Sequence, residues 1–80
     1  MNSEKICVIG LGYIGFPTAT LFADNGYDVY GVEKDLKIVS ALRQGQIHIN
    51  EPDLHDAALK AINSKALKIF DKPCPADVFI

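Results

Sequence analysis

Eighty residues make one small domain or part of one. Lys plus Arg number 8 against 10 Asp plus Glu, a net charge of −2 with the lysines scattered, so no basic stripe points to nucleic acid. The apolar fraction of 49% can supply a core, yet no apolar run approaches the roughly 20 residues that span a bilayer and no charged-then-apolar export pattern opens the chain, which makes a cytoplasmic location the expectation.

After a short polar lead-in, Met1 to Glu4, the apolar run Ile6 to Ile9 makes Lys5 to Ile9 a buried strand. Gly10, Gly12 and Gly15 follow at Gly-x-Gly-x-x-Gly spacing. Each has a task in a strand-to-helix turn that holds a dinucleotide. Gly10 permits the tight exit from the strand, Gly12 lets a pyrophosphate approach the backbone, and Gly15 lets the helix pack closely on the sheet. The N–H groups that open the helix are unpaired and sit at its positive end, which suits a diphosphate. The backbones of Tyr13 and Ile14 flank that place, while the Ile14 side chain is assigned to the core. The helix is predicted over about Ile14 to Asn25, with Pro17 in its first turn, where a missing N–H costs nothing. Ile14, Thr18, Leu21 and Phe22 are expected to face the sheet, and Gly26 suits the left-handed stop.

Tyr27 to Glu33 reads as the second strand and closes on an acid. A carboxylate there can accept hydrogen bonds from the adenosine ribose hydroxyls. Its charge repels a 2′-phosphate and so favours NAD over NADP; Lys34 beside it partly offsets that repulsion. Asp35 is expected to cap a second helix, about Leu36 to Gln44, with Leu36, Val39 and Leu42 on the inner face, Ile38 widening it and Gly45 ending it. Gln46 to Pro52 is a loop. Asp53 is expected to cap a third helix, about Leu54 to Asn63, whose stripe is Leu54, Ala57, Ala58, Ala61 and Ile62. Leu67 to Phe70 is a third strand, Asp71 to Ala76 a proline-rich turn, and Asp77 to Ile80 the start of a fourth strand. The predicted fold is α/β, a Rossmann-type parallel sheet with flanking helices in the order β-α-β-α-α-β-β, cut within the fourth strand. Residues 1–80 thus read as the N-terminal part of a dinucleotide-binding domain, without substrate and C-terminal domains.

Little else carries chemistry. Cys7 falls inside the first strand as a small buried hydrophobe, and Cys74 lies between two prolines with no activating neighbour in sequence. His48 and His55 are too few for a metal site, even with Glu51 and Asp53 nearby, and nothing sets either as a general base. No catalytic residue and no metal ligand is assigned.

The segment from Gly10 to Ala19, Gly-Leu-Gly-Tyr-Ile-Gly-Phe-Pro-Thr-Ala, resembles the N-terminus of the UDP-glucose/GDP-mannose dehydrogenase family, with Phe16 where leucine is usual. Gly45 to Leu54 resembles that family's second marker, a Gly-x-[His or Pro]-Ile-x-Glu-Pro-x-Leu segment. His48-Ile49 before Glu51-Pro52 is most similar to the branch that oxidises UDP-N-acetyl-D-mannosamine; the UDP-glucose branch more often has proline there. The resemblance implies NAD as cofactor and two successive oxidations at C6 of a nucleotide sugar, for polysaccharide biosynthesis. It implies NAD contacts at Tyr13 and Ile14, and Glu33 on the ribose, where the family more often has aspartate. Ile38 stands where some relatives carry a basic NAD contact, so no role transfers to it. The family's catalytic cysteine, lysine and aspartate belong to motifs not found here, so the 80 residues alone are expected to be inactive. The resemblance also implies a homodimer or larger assembly of the full-length enzyme; from the scattered charge and short apolar runs, neither a nucleic-acid nor a membrane partner is expected. Two other readings stay open: a β-hydroxyacid-type dehydrogenase, which leaves the His-Ile-Asn-Glu-Pro loop unexplained, and a non-enzymatic nucleotide-sensing module of a transporter.

Overall fold

The computed structural model describes residues 4–80; Met1 to Ser3 of the polar lead-in lie outside them. Strand β1 (Lys5–Ile9) leads through the glycine turn into helix α1 (Gly15–Asp24), and β2 (Asp28–Val32) follows. Helices α2 (Leu36–Arg43) and α3 (Pro52–Asn63) then precede β3 (Leu67–Phe70) and the short β4 (Val78–Phe79). All strand pairings are parallel, in the order β3-β2-β1-β4. The element order and the parallel, Rossmann-type sheet are as predicted. Strand β1 is central, so its carboxyl end meets the place where the sheet is built outward in both directions, which is where open α/β sheets bind ligands.

Period-two alternation divides the sheet. Ile6 and Val8 of β1 stand in register with Val29 and Gly31 of β2, and these with Leu67 and Ile69 of β3. The side chains of this face join one buried cluster with Phe16, Ala19 and Ala23 of α1, Val39 and Leu42 of α2, and Ala58 and Ala61 of α3. All three helices therefore pack on one face, as right-handed crossovers moving in one direction along a sheet require. The other face carries Cys7 and Val32, buried, with Ile9 and Phe79 half-exposed. Lys68 pairs there with Asp28 at 2.8 Å and lies 5.0 Å from the Tyr30 ring centre.

Three expectations about the helices are corrected. Helix α1 buries Phe16, Ala19, Thr20 and Ala23, whereas Ile14 and Leu21 are 82% and 61% exposed. The phase is set at Gly15, whose Cα lies so close to the Gly10 carbonyl that a Cβ there would overlap that oxygen. Positions one, four, five and eight residues past Gly15 then turn inward. Leu36 is likewise outside the α2 stripe, at 64% exposed. Helix α3 starts at Pro52, with Glu51 rather than Asp53 at the cap position and no side-chain cap bond. Proline at the first position has its φ already helical, so the helix begins before the first acid of the pattern. The cap at Asp35 is as predicted: its Oδ1 accepts from the Lys37 N–H at 3.0 Å.

Candidate functional site

The site is built at the carboxyl ends of β1, β2 and β3. Gly10 leaves β1 with φ +89°, a backbone angle that strains any side-chain-bearing residue. Its N–H still donates to the Val32 carbonyl at 2.7 Å, extending the ladder by one rung before the chain turns. Leu11 then dives into the core, fully buried. Its methyl groups lie over Gly31 of β2, where a Cβ would stand only 2.9 Å from Leu11 Cδ1. Gly31 thus makes room for the loop rather than for a ligand.

Glu33, just past β2, holds this loop with both carboxylate oxygens. Oε1 accepts from the Leu11 N–H at 2.9 Å and Oε2 from the Asp35 N–H at 2.9 Å. These two bonds, that to Asp35 first and that to Leu11 second, keep its pKa below the usual carboxylate value. The His48 charge adds to the lowering, while burial and the neighbouring Asp35 oppose it. Each oxygen has lone pairs left, because a carboxylate offers about four acceptor positions.

The three glycines separate by function. A Cβ on Gly15 would meet the Gly10 carbonyl, so Gly15 serves the packing of α1 on the turn. A Cβ on Gly12 would meet nothing within 4 Å. Gly12 does not have a positive φ either. Neither the fold nor the backbone angle demands glycine there, and the space in front of it is open to an approaching group. Among the described residues, the N–H groups of Gly12, Tyr13 and Ile14 find no protein acceptor, while the Phe16 N–H returns to the Gly12 carbonyl at 3.1 Å. Unpaired donors at the N-terminus of a helix, with the positive end of its dipole behind them, fit a pyrophosphate. The Tyr13 side chain is exposed and Ile14 is too, which corrects its assignment to the core. Beside this cradle a cavity of about 350 Å³ opens between Gly10, Val32, Glu33, Lys34, Asp71 and Pro73. Its size and place, flanked by the carboxylate, fit an adenosine half.

One residue of this cluster lies outside the sequence prediction. His48 reaches the glycine turn from the loop between α2 and α3, and its Nε2 bonds the Leu11 carbonyl at 2.5 Å. A carbonyl only accepts, so Nε2 carries the proton. The ring also stands edge-on to Phe16, centres 5.1 Å apart at 63°. The signal in the sequence was the alternation Ile47-His48-Ile49: Ile49 is buried and Ile47 packs against the core, so the loop is anchored on both sides of the histidine. His55 and Cys74 do not join the site, and among the described residues no three His, Cys, Asp or Glu side chains group as metal ligands.

Residues 4–80 match the UDP-glucose/GDP-mannose dehydrogenase family, NAD binding domain. The chain belongs to that family. The cofactor of this domain is NAD. Its relatives in the UDP-glucose/GDP-mannose dehydrogenase family include a UDP-N-acetyl-D-mannosamine dehydrogenase of Methanococcus maripaludis, 49% identical over 77 residues, which are 96% of this chain and 18% of that protein. An NDP-N-acetyl-D-galactosaminuronic acid dehydrogenase of Ralstonia nicotianae is 44% identical over 80 residues, 100% of this chain and 19% of its own length. Among solved structures, the UDP-N-acetyl-mannosamine dehydrogenase of Staphylococcus aureus superposes with a TM-score of 0.92 at 42% identity, covering 95% of this chain and 18% of that one. The chain therefore spans less than a fifth of the relatives it matches.

Proposed function

We propose that these residues form the N-terminal part of the NAD-binding domain of a nucleotide-sugar 6-dehydrogenase, and that the whole protein oxidises UDP-N-acetyl-D-mannosamine to its uronate in the cytoplasm, as a homodimer or larger assembly, for polysaccharide biosynthesis. The observation that carries the cofactor half is the open backbone at Gly12 beside unpaired N–H groups and an anchored carboxylate. The UDP-N-acetyl-mannosamine dehydrogenases among the relatives support the sugar.

In this reading the N–H groups of Gly12, Tyr13 and Ile14 bind the pyrophosphate, Gly10 and Gly15 shape the turn, and the remaining lone pairs of Glu33 accept from the adenosine ribose hydroxyls. The carboxylate stays ionised at neutral pH, because its backbone donors favour the charged form. It therefore also disfavours a 2′-phosphate. Bound NAD supplies the hydride acceptor. Oxidising the C6 primary alcohol to a carboxylate removes two hydrides to two NAD, takes its second oxygen from water and releases three protons. The nucleophile and base for those steps are not among these residues; this segment binds and orients the dinucleotide.

The test is NADH formation by the full reading frame with UDP-N-acetyl-mannosamine, UDP-glucose and UDP-N-acetyl-glucosamine. Two NADH per sugar, with the mannosamine derivative strongly preferred, is the expected result. A preference for UDP-glucose moves the protein to that branch. Tight NAD binding without turnover of any sugar nucleotide returns it to the sensing modules.

A further inference from the structure

The loop between α2 and α3 is tied to the glycine turn by the bond from His48 to the Leu11 carbonyl. A trans peptide sets its C=O and the next N–H antiparallel. The grip of Glu33 on the Leu11 N–H therefore fixes the peptide between Gly10 and Leu11, and with it the direction of the Gly10 carbonyl toward Gly15. The grip of His48 on the Leu11 carbonyl fixes the next peptide, and so the direction of the Gly12 N–H, which points away from the imidazole and has no protein acceptor. Between the two, the fully buried Leu11 side chain is wedged over Gly31. Two consecutive peptide planes of a glycine-rich turn are thus each held by a side chain from another part of the fold.

We infer that His48 is a positioning residue for the dinucleotide: it presets the Gly12 N–H for the pyrophosphate by clamping the Leu11 carbonyl. It touches no cofactor atom in this role. Its own place is preset in turn, since Ile49 is buried beside it and its ring leans edge-on against the fully buried Phe16. The two contacts of the ring differ in consequence. The bond to Leu11 aims the cradle, whereas the contact with Phe16 packs the loop onto α1. The inference rests on the NAD reading above.

The two contacts can be separated by substitution. Gln places an amide donor close to where Nε2 stands but has no ring; Phe keeps the ring but has no donor. In the full-length protein, NAD dissociation constants from calorimetry and thermal midpoints are measured for wild type, His48→Gln and His48→Phe. The expected result is NAD affinity near wild type in His48→Gln and weakened roughly three- to tenfold in His48→Phe, the range of one lost hydrogen bond. The thermal midpoint should fall more in His48→Gln, which loses the edge-on contact. Affinity in His48→Phe equal to wild type, or weakened equally in both variants, overturns the positioning role. A wild-type protein that binds no NAD overturns the cofactor reading itself, and this inference with it.

Discussion

Gly12 and Gly15 are three positions apart and chemically identical, yet the structure gives them opposite reasons for being glycine. Gly15 is required by the protein, since any side chain would overlap the Gly10 carbonyl. Gly12 has free space around it and no positive φ, so in the proposed site the requirement comes from the pyrophosphate. The two substitutions should therefore separate stability from binding. Gly15→Ala is expected to lower stability by about 1–3 kcal/mol or more, the cost of overpacking against rigid backbone, as measured by urea unfolding. Gly12→Val is expected to keep its unfolding midpoint within about 1 kcal/mol of wild type, the scale of an ordinary exposed change, and to lose NAD binding in calorimetry. Wild-type affinity in Gly12→Val would remove the pyrophosphate from this turn.

Helix α2 shows how one element is fixed at both ends by side chains. Asp35 Oδ1 accepts the Lys37 N–H at the start. At the other end Arg43 sends Nε and Nη2 to the Ile69 carbonyl at 3.1 and 2.9 Å, tying the helix to β3. An eight-residue helix is too short to hold its shape alone, so such ties matter more than propensity. Asp35→Ala removes the cap and is expected to cost about 0.5–2 kcal/mol in chemical denaturation. An unchanged midpoint would mean that the bond from the Asp35 N–H to Glu33 is enough to start the helix.

Over the whole molecule, Glu33 joins three elements: the end of β2, the glycine turn through Leu11, and the start of α2 through Asp35. Its native pKa is lowered, so it binds protons less readily folded than unfolded. Its stabilising contribution is then complete above the unfolded carboxylate value of about 4.3, and is lost as pH falls through its lower native value. Glu33 is half-buried, so solvent screens part of this contribution, which is confined to the acid limb. Thermal midpoints of wild type and Glu33→Gln should differ near neutral pH and converge below about pH 4. A difference that persists to low pH would assign the loss in Glu33→Gln to geometry rather than charge.

The order of strands and helices, the glycine turn and the acid at the end of β2 were legible in the sequence, because each depends on local chemistry. Apolar runs mark strands, glycine marks backbone freedom, and a carboxylate before a helix marks a cap. The phase of α1 was not legible, since Ile14 and Leu21 are more apolar than the buried Ala19, Thr20 and Ala23; the approach of Gly15 to Gly10 overrode the stripe that hydropathy favours. The start of α3 was decided by Pro52 rather than by the next acid. The role of His48 needed the tertiary structure for a different reason. It stands 37 positions from Leu11 in the chain, and only the burial of Ile49 and the packing of the loop against α1 bring its imidazole to that carbonyl. Sequence by itself determined which groups could hold a dinucleotide; packing decided which way their N–H groups point.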